Sequence, residues 1–84
     1  MKKLWFALCN GEPILNSFDE KKLYEKIVDF IIDFWGEKDF EEALADYGFV
    51  GEHDLLTSLY DTKDYSLLED YDIRVYSMYL EEKN

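Results

Sequence analysis

Thiol and imidazole groups are scarce in this sequence. Cys9 is its single thiol and His53 its single imidazole. A cysteine or serine nucleophile needs a base such as imidazole within hydrogen-bond reach, whereas Cys9 lies in an apolar run far along the chain from His53. We therefore expect Cys9 to be a small buried side chain and His53 a surface or helix-start residue. The sequence predicts no enzyme activity.

Carboxylates are the other groups that could do chemistry. Adjacent acids such as Glu41 and Glu42 can act as general acid and base only where an apolar pocket separates their pKa values, and the sequence indicates no such pocket. The run 61–72 is acidic but lacks the alternating acids and central glycine of a calcium-binding loop. A single cysteine also excludes a multi-cysteine zinc site. We predict neither a metal site nor a cofactor.

The acids are concentrated in the middle of the chain. Residues 1–28 carry five bases and four acids, residues 29–72 carry two bases and fourteen acids, and residues 73–84 carry two of each. Solubility depends on total charge and not on its position, so this asymmetry indicates a recognition surface. The net charge of −11 disfavours direct binding to nucleic acid or to an anionic membrane.

Tyrosines recur beside the acids of this middle segment. A tyrosine framed by carboxylates suits a partner that presents Arg and Lys around a groove, although each tyrosine could equally be an edge-of-core residue with a solvated hydroxyl. Acids four residues apart on a helix are about 6 Å apart, which predicts one row at 29, 33 and 37 and another at 42 and 46. The predicted partner-binding residues are Asp29, Asp33, Glu37, Asp39, Glu41, Glu42, Asp46, Tyr47, Asp61, Asp64, Tyr65, Asp70, Tyr71 and Asp72.

Strands at both ends of the chain are expected to form the sheet that positions these residues. Lys3–Cys9 is apolar on both faces, an Asn-Gly pair then favours a tight turn, and 14–18 returns as an edge strand next to Pro13. A final strand over 71–80, rich in β-branched and aromatic residues, is expected beside the first. The predicted fold is a single α+β domain, 1–84, with a three-stranded, mainly antiparallel sheet and two to three helices on one face.

Helical patterns fill the region between the strands. The first helix is expected to begin at a cap, Ser17 or Asp19, and to end at Gly36. It is apolar nearly all round, including Phe34 and Trp35, so we expect it to be covered on more than one side.

Two shorter helices and a turn are expected to follow. The second helix runs from a cap at Asp39 to Gly48 and has an acidic outer face. The third covers 52–60, and a turn is expected around 66–69.

The apolar run near the start of the chain is short. It ends after six residues, which is too short for a signal-peptide core or a membrane span. The lone cysteine gives no indication of an oxidising compartment. We therefore expect a cytoplasmic protein.

A short, strongly acidic, tyrosine-rich domain without catalytic groups resembles the small phage-encoded inhibitors of host defence, such as anti-CRISPR and anti-restriction proteins, many of which imitate DNA. A fainter resemblance is to barstar, the acidic ribonuclease inhibitor, in the opening lysines, in Asn-Gly-Glu at 10–12 and in the leucine helix that follows Gly51. The hairpin and the lack of a strand between the helices depart from the parallel sheet of barstar. Both resemblances imply a basic nucleic-acid-binding partner, a CRISPR effector or another nuclease.

Two functions remain open from the sequence. The first is an inhibitor that occupies the basic groove of such a partner. The alternative is a structural or adaptor protein that forms a homodimer through a free sheet face, where an apolar patch is expected from Trp5, Ala7, Cys9, Tyr76 and Met78.

Overall fold

The structure is a computed structural model that describes residues 2–81. Its elements in chain order are β1 (Lys2–Cys9), β2 (Glu12–Ser17), α1 (Glu20–Trp35), α2 (Glu37–Asp46), α3 (Glu52–Thr62), α4 (Ser66–Asp70) and β3 (Ile73–Leu80). The hairpin β1–β2 and the last strand form one sheet, and the helices lie between them in sequence. The predicted α+β class is confirmed.

The sheet has the order β2-β1-β3, and both pairings are antiparallel. β1 and β3 pair in one continuous register, which confirms that the last strand lies beside the first. β3 begins at Ile73, later than the predicted Tyr71, because Asp72 adopts a positive φ of 59° in the turn that precedes the strand.

The hairpin forms as the sequence predicts. Asn10 and Gly11 have positive φ angles of 53° and 80°, which a tight two-residue hairpin turn requires. The β1–β2 register shifts between Ala7 and Leu8, and Leu8 lies opposite Pro13. Proline has no backbone N–H to donate to a neighbouring strand. Its position in β2 is tolerated because β2 is an edge strand.

Side chains alternate between the two faces of the sheet. Ala7 and Cys9 of β1 and Ile73 of β3 are buried against the helices. The opposite face is apolar too, but its side chains do not belong to the buried core formed by the described residues. We call this face the open sheet face, and its apolar residues are Leu4, Phe6, Leu8, Tyr76, Met78 and Leu80.

The predicted composition of the free face was therefore wrong in part. Tyr76 and Met78 do lie on the open sheet face. Trp5, Ala7 and Cys9 lie on the helix side. The β1 residues that pair with Tyr76 and Met78 have even numbers, so the odd-numbered residues of β1 lie on the other face of the sheet.

Helix α1 is capped by Asp19, whose carboxylate accepts a hydrogen bond from the backbone N–H of Lys22 at 3.2 Å. Ser17, the other predicted cap, instead accepts from the backbone N–H of Asp19 at 3.0 Å and is not the N-cap. The inner side of α1 belongs to the core through Leu23, Tyr24, Ile27, Val28 and Ile31.

Gly36 separates α1 from α2. Its φ of 93° and ψ of 154° lie in a region that only glycine occupies readily. Its N–H donates to the carbonyl of Ile32 at 2.9 Å, and its own carbonyl accepts from Phe40 at 3.2 Å. α2 therefore starts at Glu37, so the prediction that Asp39 caps this helix was wrong, and Asp39 lies in its first turn.

The segment after α2 is more helical than expected. α3 continues to Thr62, and Lys63 ends it in the left-handed conformation with φ 56°. α4 occupies the region where a turn was predicted. Asp64 accepts hydrogen bonds from both the backbone N–H and the hydroxyl of Ser66, and this local bonding favours a helical start.

None of the helices within residues 2–81 combines the length and the apolar composition needed to cross a membrane.

Candidate functional site

Tyr71 connects the α4–β3 junction to α2. The residue is buried, and its hydroxyl donates to the Asp39 carboxylate at 2.7 Å. Burial, followed by this hydrogen bond and the negative charges of Asp39, Asp70 and Glu42, raises the pKa of Tyr71. The hydroxyl therefore stays protonated further into the alkaline range than a free tyrosine, and it keeps its hydrogen bond to Asp39.

Tyr47, which follows the last residue of α2, makes a second connection to α4. Its hydroxyl donates to the Asp70 carboxylate and also lies 3.2 Å from the backbone carbonyl of Ser66. The hydrogen bond to Asp70 is the main cause that raises the pKa of Tyr47 to about 12, and the charges of Glu69 and Asp64 add to it. Acids from α2, from the α3–α4 loop and from α4 therefore converge on two tyrosine hydroxyls.

An aromatic pair borders these acids. The ring of Trp35 packs edge-on against Tyr71 with centroids 4.9 Å apart, and the Phe34 ring lies 6.4 Å from the Trp35 ring. Phe34 is 71% exposed and Trp35 41% exposed. α1 is covered on more than one side, as predicted, by α2, α3 and the sheet, but this cover does not extend to its C-terminal end. The sequence signal for this exposure was the position of Phe34 and Trp35 immediately before Gly36, because the last turn of a helix has fewer neighbouring elements to cover it.

We call this region the acidic–aromatic surface. It combines rings and carboxylates contributed by α1, α2, the α3–α4 loop and α4. On α2, residues 39, 42 and 46 share one side of the helix because they are three and four positions apart. The surface consists of Phe34, Trp35, Asp39, Glu42, Asp46, Tyr47, Asp64, Glu69, Asp70 and Tyr71.

Counter-charges are scarce on this surface. Within the described part of the chain the ion pairs are Lys63 with Glu20, at 2.5 Å, and Arg74 with Glu69, at 3.3 Å. Only Glu69 of the acidic–aromatic surface takes part in either pair. The other carboxylates of the surface are therefore not neutralised by an ion pair with a base in residues 2–81.

Asp29 and Asp33 do not join this surface. They lie exposed on the side of α1 opposite its buried residues, in a row with Lys22 and Lys26 at helical spacing. That row carries as many bases as acids. The predicted continuation of the row to Glu37 was wrong, because α1 ends before Gly36 and Glu37 belongs to α2.

Glu37 and Glu41 lie on another flank of α2. They line a cleft of about 400 Å³ together with residues of the α2–α3 connection. Asp61 lines a different cleft, of about 490 Å³, between α1 and α3. These three acids are exposed, but they are separated from the acids that surround Tyr47 and Tyr71.

Tyr65 and Asp72 make contacts that hold the fold together. The Tyr65 hydroxyl lies 2.8 Å from that of the buried Tyr24, so Tyr65 is an edge-of-core residue. The backbone carbonyl of Asp72 accepts from the N–H of Asn10 at 3.1 Å, which ties the start of β3 to the hairpin turn.

Cys9 and His53 lie in different environments. The Cys9 thiol is buried and lies 3.6 Å from the backbone carbonyl of Tyr71. Burial raises the pKa of this thiol, and the charges of Asp72 and Glu12 raise it further. His53 is exposed in the first turn of α3 and lines the α1–α3 cleft. No group of three or more His, Cys, Asp or Glu side chains in residues 2–81 is arranged to hold a metal ion.

The groups gathered on the acidic–aromatic surface are carboxylates, hydroxyls and exposed rings, which are the groups that contact Arg and Lys side chains. Comparison of the chain with protein-family models, with curated protein sequences and with solved structures gives no match. The functional argument therefore depends on the geometry and charge of this surface.

Proposed function

We propose that the protein is a non-catalytic inhibitor that places its acidic–aromatic surface in the basic groove of a nucleic-acid-binding protein, a CRISPR effector or another nuclease. The observation that supports this proposal is the connected series Trp35–Tyr71–Asp39. The Trp35 ring packs on Tyr71, and the Tyr71 hydroxyl donates to Asp39. An exposed aromatic ring and an exposed carboxylate therefore both contact the buried Tyr71.

Preorganisation makes such a surface effective. Ordering a side chain on binding costs roughly 0.5–1.5 kcal/mol, and Asp39 and Asp70 are already oriented by tyrosine hydroxyls. An ionised carboxylate has about four acceptor positions, so each retains acceptor positions for Arg or Lys of a partner. Trp35 supplies the large ring that is typical of binding hot spots.

Charge provides the long-range component of this recognition. A groove that binds nucleic acid is lined by Arg and Lys that contact phosphates. A protein of net charge −11 with few ion pairs on one surface presents a comparable array of negative groups to that groove. Association should therefore be fast at low ionic strength and should weaken steeply with added salt.

A matched pair of charge-reversal variants tests the proposal. Glu42→Lys/Asp46→Lys alters the acidic–aromatic surface, and Asp29→Lys/Asp33→Lys makes the same change on the outer side of α1. Each variant changes two acids into two bases, so both move the net charge from −11 to −7. Both pairs are spaced four residues apart on exposed helix positions.

The assay is inhibition of DNA or RNA cleavage by a panel of purified proteins: a CRISPR effector with its guide RNA, a restriction endonuclease and a small basic ribonuclease. We expect the unmodified protein to inhibit at least one of them. The variant at 42 and 46 should lose at least tenfold in affinity, about 1.4 kcal/mol, and the variant at 29 and 33 should stay within about threefold. Equal losses in both variants would show an effect of net charge alone, and an inactive protein across the panel would contradict the proposal.

A further inference from the structure

The open sheet face is an apolar surface that the helical core leaves uncovered. Phe6 and Tyr76 lie opposite each other in the β1–β3 register, and their rings stack with centroids 5.7 Å apart. Leu4 lies opposite Met78 in the same way. Tyr76 is 46% exposed and Met78 47% exposed, so cross-strand packing covers only part of each side chain.

This face also differs in charge from the rest of the molecule. The chain has 20 acids, yet the β1–β3 register places none on this side of the two strands. The charged residues placed there are Lys2 and Arg74. Glu69 of α4 pairs with Arg74 at 3.3 Å, at one corner of the face.

We infer that a second copy of this chain covers the open sheet face and forms a symmetric homodimer. Two chains of net charge −11 repel each other, and the repulsion is weakest where they meet on a face with few acids. The β1–β3 register places no acid on this face, and Glu69 at its corner is paired with Arg74. Stacked sheets lie about 10 Å apart, so the helices of both copies would face outwards. Apart from Glu69, which pairs with Arg74 at the corner of the face, the helix acids of the two copies would be separated by both sheets, which is more than the Debye length of about 8–10 Å in physiological salt.

A basic partner is a poorer occupant of this face. The acid-free sheet offers no carboxylate array to a cationic protein, whereas the acidic–aromatic surface on the helices does. An isologous contact needs a self-complementary patch, and an apolar face made of leucine, methionine and aromatic side chains satisfies this requirement. The dimer is independent of the proposed inhibitory function, since its test requires no partner protein.

The size of the face sets the expected strength of the dimer. Eight residues per strand at about 3.4 Å, across three strands about 4.8 Å apart, give a footprint of roughly 400 Å² per copy. Two copies cover roughly 800 Å² of footprint, which is below the roughly 1,200–2,000 Å² of standard specific interfaces and is the size of a weak, transient contact. We therefore expect a reversible dimer with a dissociation constant on the order of micromolar.

Sedimentation velocity from about 1 µM to about 1 mM protein measures this equilibrium. The unmodified chain of 10.1 kDa should shift from monomer to dimer as concentration rises. Met78→Glu should weaken the dimer at least tenfold, because it places a charge in the apolar contact. Tyr79→Glu is the matched control: Tyr79 is the next residue of β3, is 62% exposed and lies on the opposite side of the sheet. It should leave the dissociation constant within about threefold.

Two results would overturn the inference. The first is a chain that remains monomeric at the highest concentration in both physiological and high salt. The second is a dimer that both substitutions weaken equally, or that neither weakens, because the contact would then lie elsewhere. Circular dichroism of each variant establishes that the fold is retained.

Discussion

At the scale of single residues, two tyrosine hydroxyls give the acidic–aromatic surface its defined geometry. Tyr71 donates to Asp39, and Tyr47 donates to Asp70. The sequence places these tyrosines beside acids, but the acid that each contacts is on another element. The order of residues in the chain therefore indicated which residue types the surface contains. It could not indicate the hydrogen-bonded pairs, because these depend on how α4 packs near α2.

Tyr71→Phe tests the first of these hydrogen bonds. The substitution removes the hydroxyl and keeps the ring that packs against Trp35. We expect the free energy of unfolding in urea to fall by about 0.5–1.5 kcal/mol. Tyr76→Phe is the control, because Tyr76 lies on the open sheet face away from these acids, and it should change the free energy of unfolding much less. Equal losses in the two variants would contradict the structural role of the Asp39 contact.

Alkaline pH tests the second hydrogen bond. The pKa of Tyr47 is raised from 10.0 to about 12 in the folded protein, so the folded state keeps this proton when the unfolded state has lost it. The contribution to stability is complete below pH 10 and is lost as pH rises through 12. Tyr71 acts in the same direction. Urea unfolding followed across this range should show a decline that is shallower in Tyr47→Phe, and an identical decline in that variant would contradict the assignment.

At the scale of elements, Gly36 determines which side chains reach the surface. It ends α1 directly after Phe34 and Trp35 and starts α2 at Glu37, so rings and acids meet at one junction. Apolar periodicity predicted α1 and its end correctly. It could not predict that the last turn is exposed, because periodicity shows which side of a helix is apolar and not what covers that side. α4 was missed because five residues are too few to show a helical period.

Gly36→Ala tests the importance of this junction. No atom lies within 4 Å of the position that an alanine Cβ would occupy, so the penalty arises from the backbone, whose φ is 93°. We expect a loss of about 1–3 kcal/mol in the free energy of unfolding.

Gly51→Ala is the matched control for that substitution. Gly51 also precedes a helix and also has open space around its Cβ position. Its φ of −171° is ordinary extended backbone, so the loss should be smaller than at Gly36. A loss at Gly51 that equals or exceeds the loss at Gly36 would contradict the account of the junction.

At the scale of the whole molecule, the charge asymmetry of the chain becomes a spatial asymmetry. Lys3 and Lys63 lie over the Trp5 ring, at 4.5 and 5.9 Å, and Lys21 lies 4.6 Å over the Tyr60 ring. The acids around Tyr47 and Tyr71 lie mainly on α2 and α4, and Asp64 lies in the α3–α4 loop next to Lys63. The sequence predicted an acidic middle segment, but only part of it forms one surface, because Asp29, Asp33 and the acids lining the clefts lie elsewhere.

The two surfaces of the molecule therefore have separate expected partners. The acidic–aromatic surface is proposed to bind a basic groove, and the open sheet face is proposed to bind a second copy. Because the two are on different layers of the fold, a dimer would display two acidic–aromatic surfaces at once. Two linked sites increase apparent affinity for a multivalent target when the geometry allows both to bind.

The two tryptophans of the chain allow the most direct test of the central proposal. Trp35 belongs to the acidic–aromatic surface, and Trp5 packs against the core from β1. The measurement is fluorine NMR of protein labelled with fluorotryptophan, titrated with the nuclease that the protein inhibits. We predict that the Trp35 signal shifts or broadens in proportion to bound protein and that the Trp5 signal stays in place. A complex in which the Trp35 signal is unchanged would contradict the proposal.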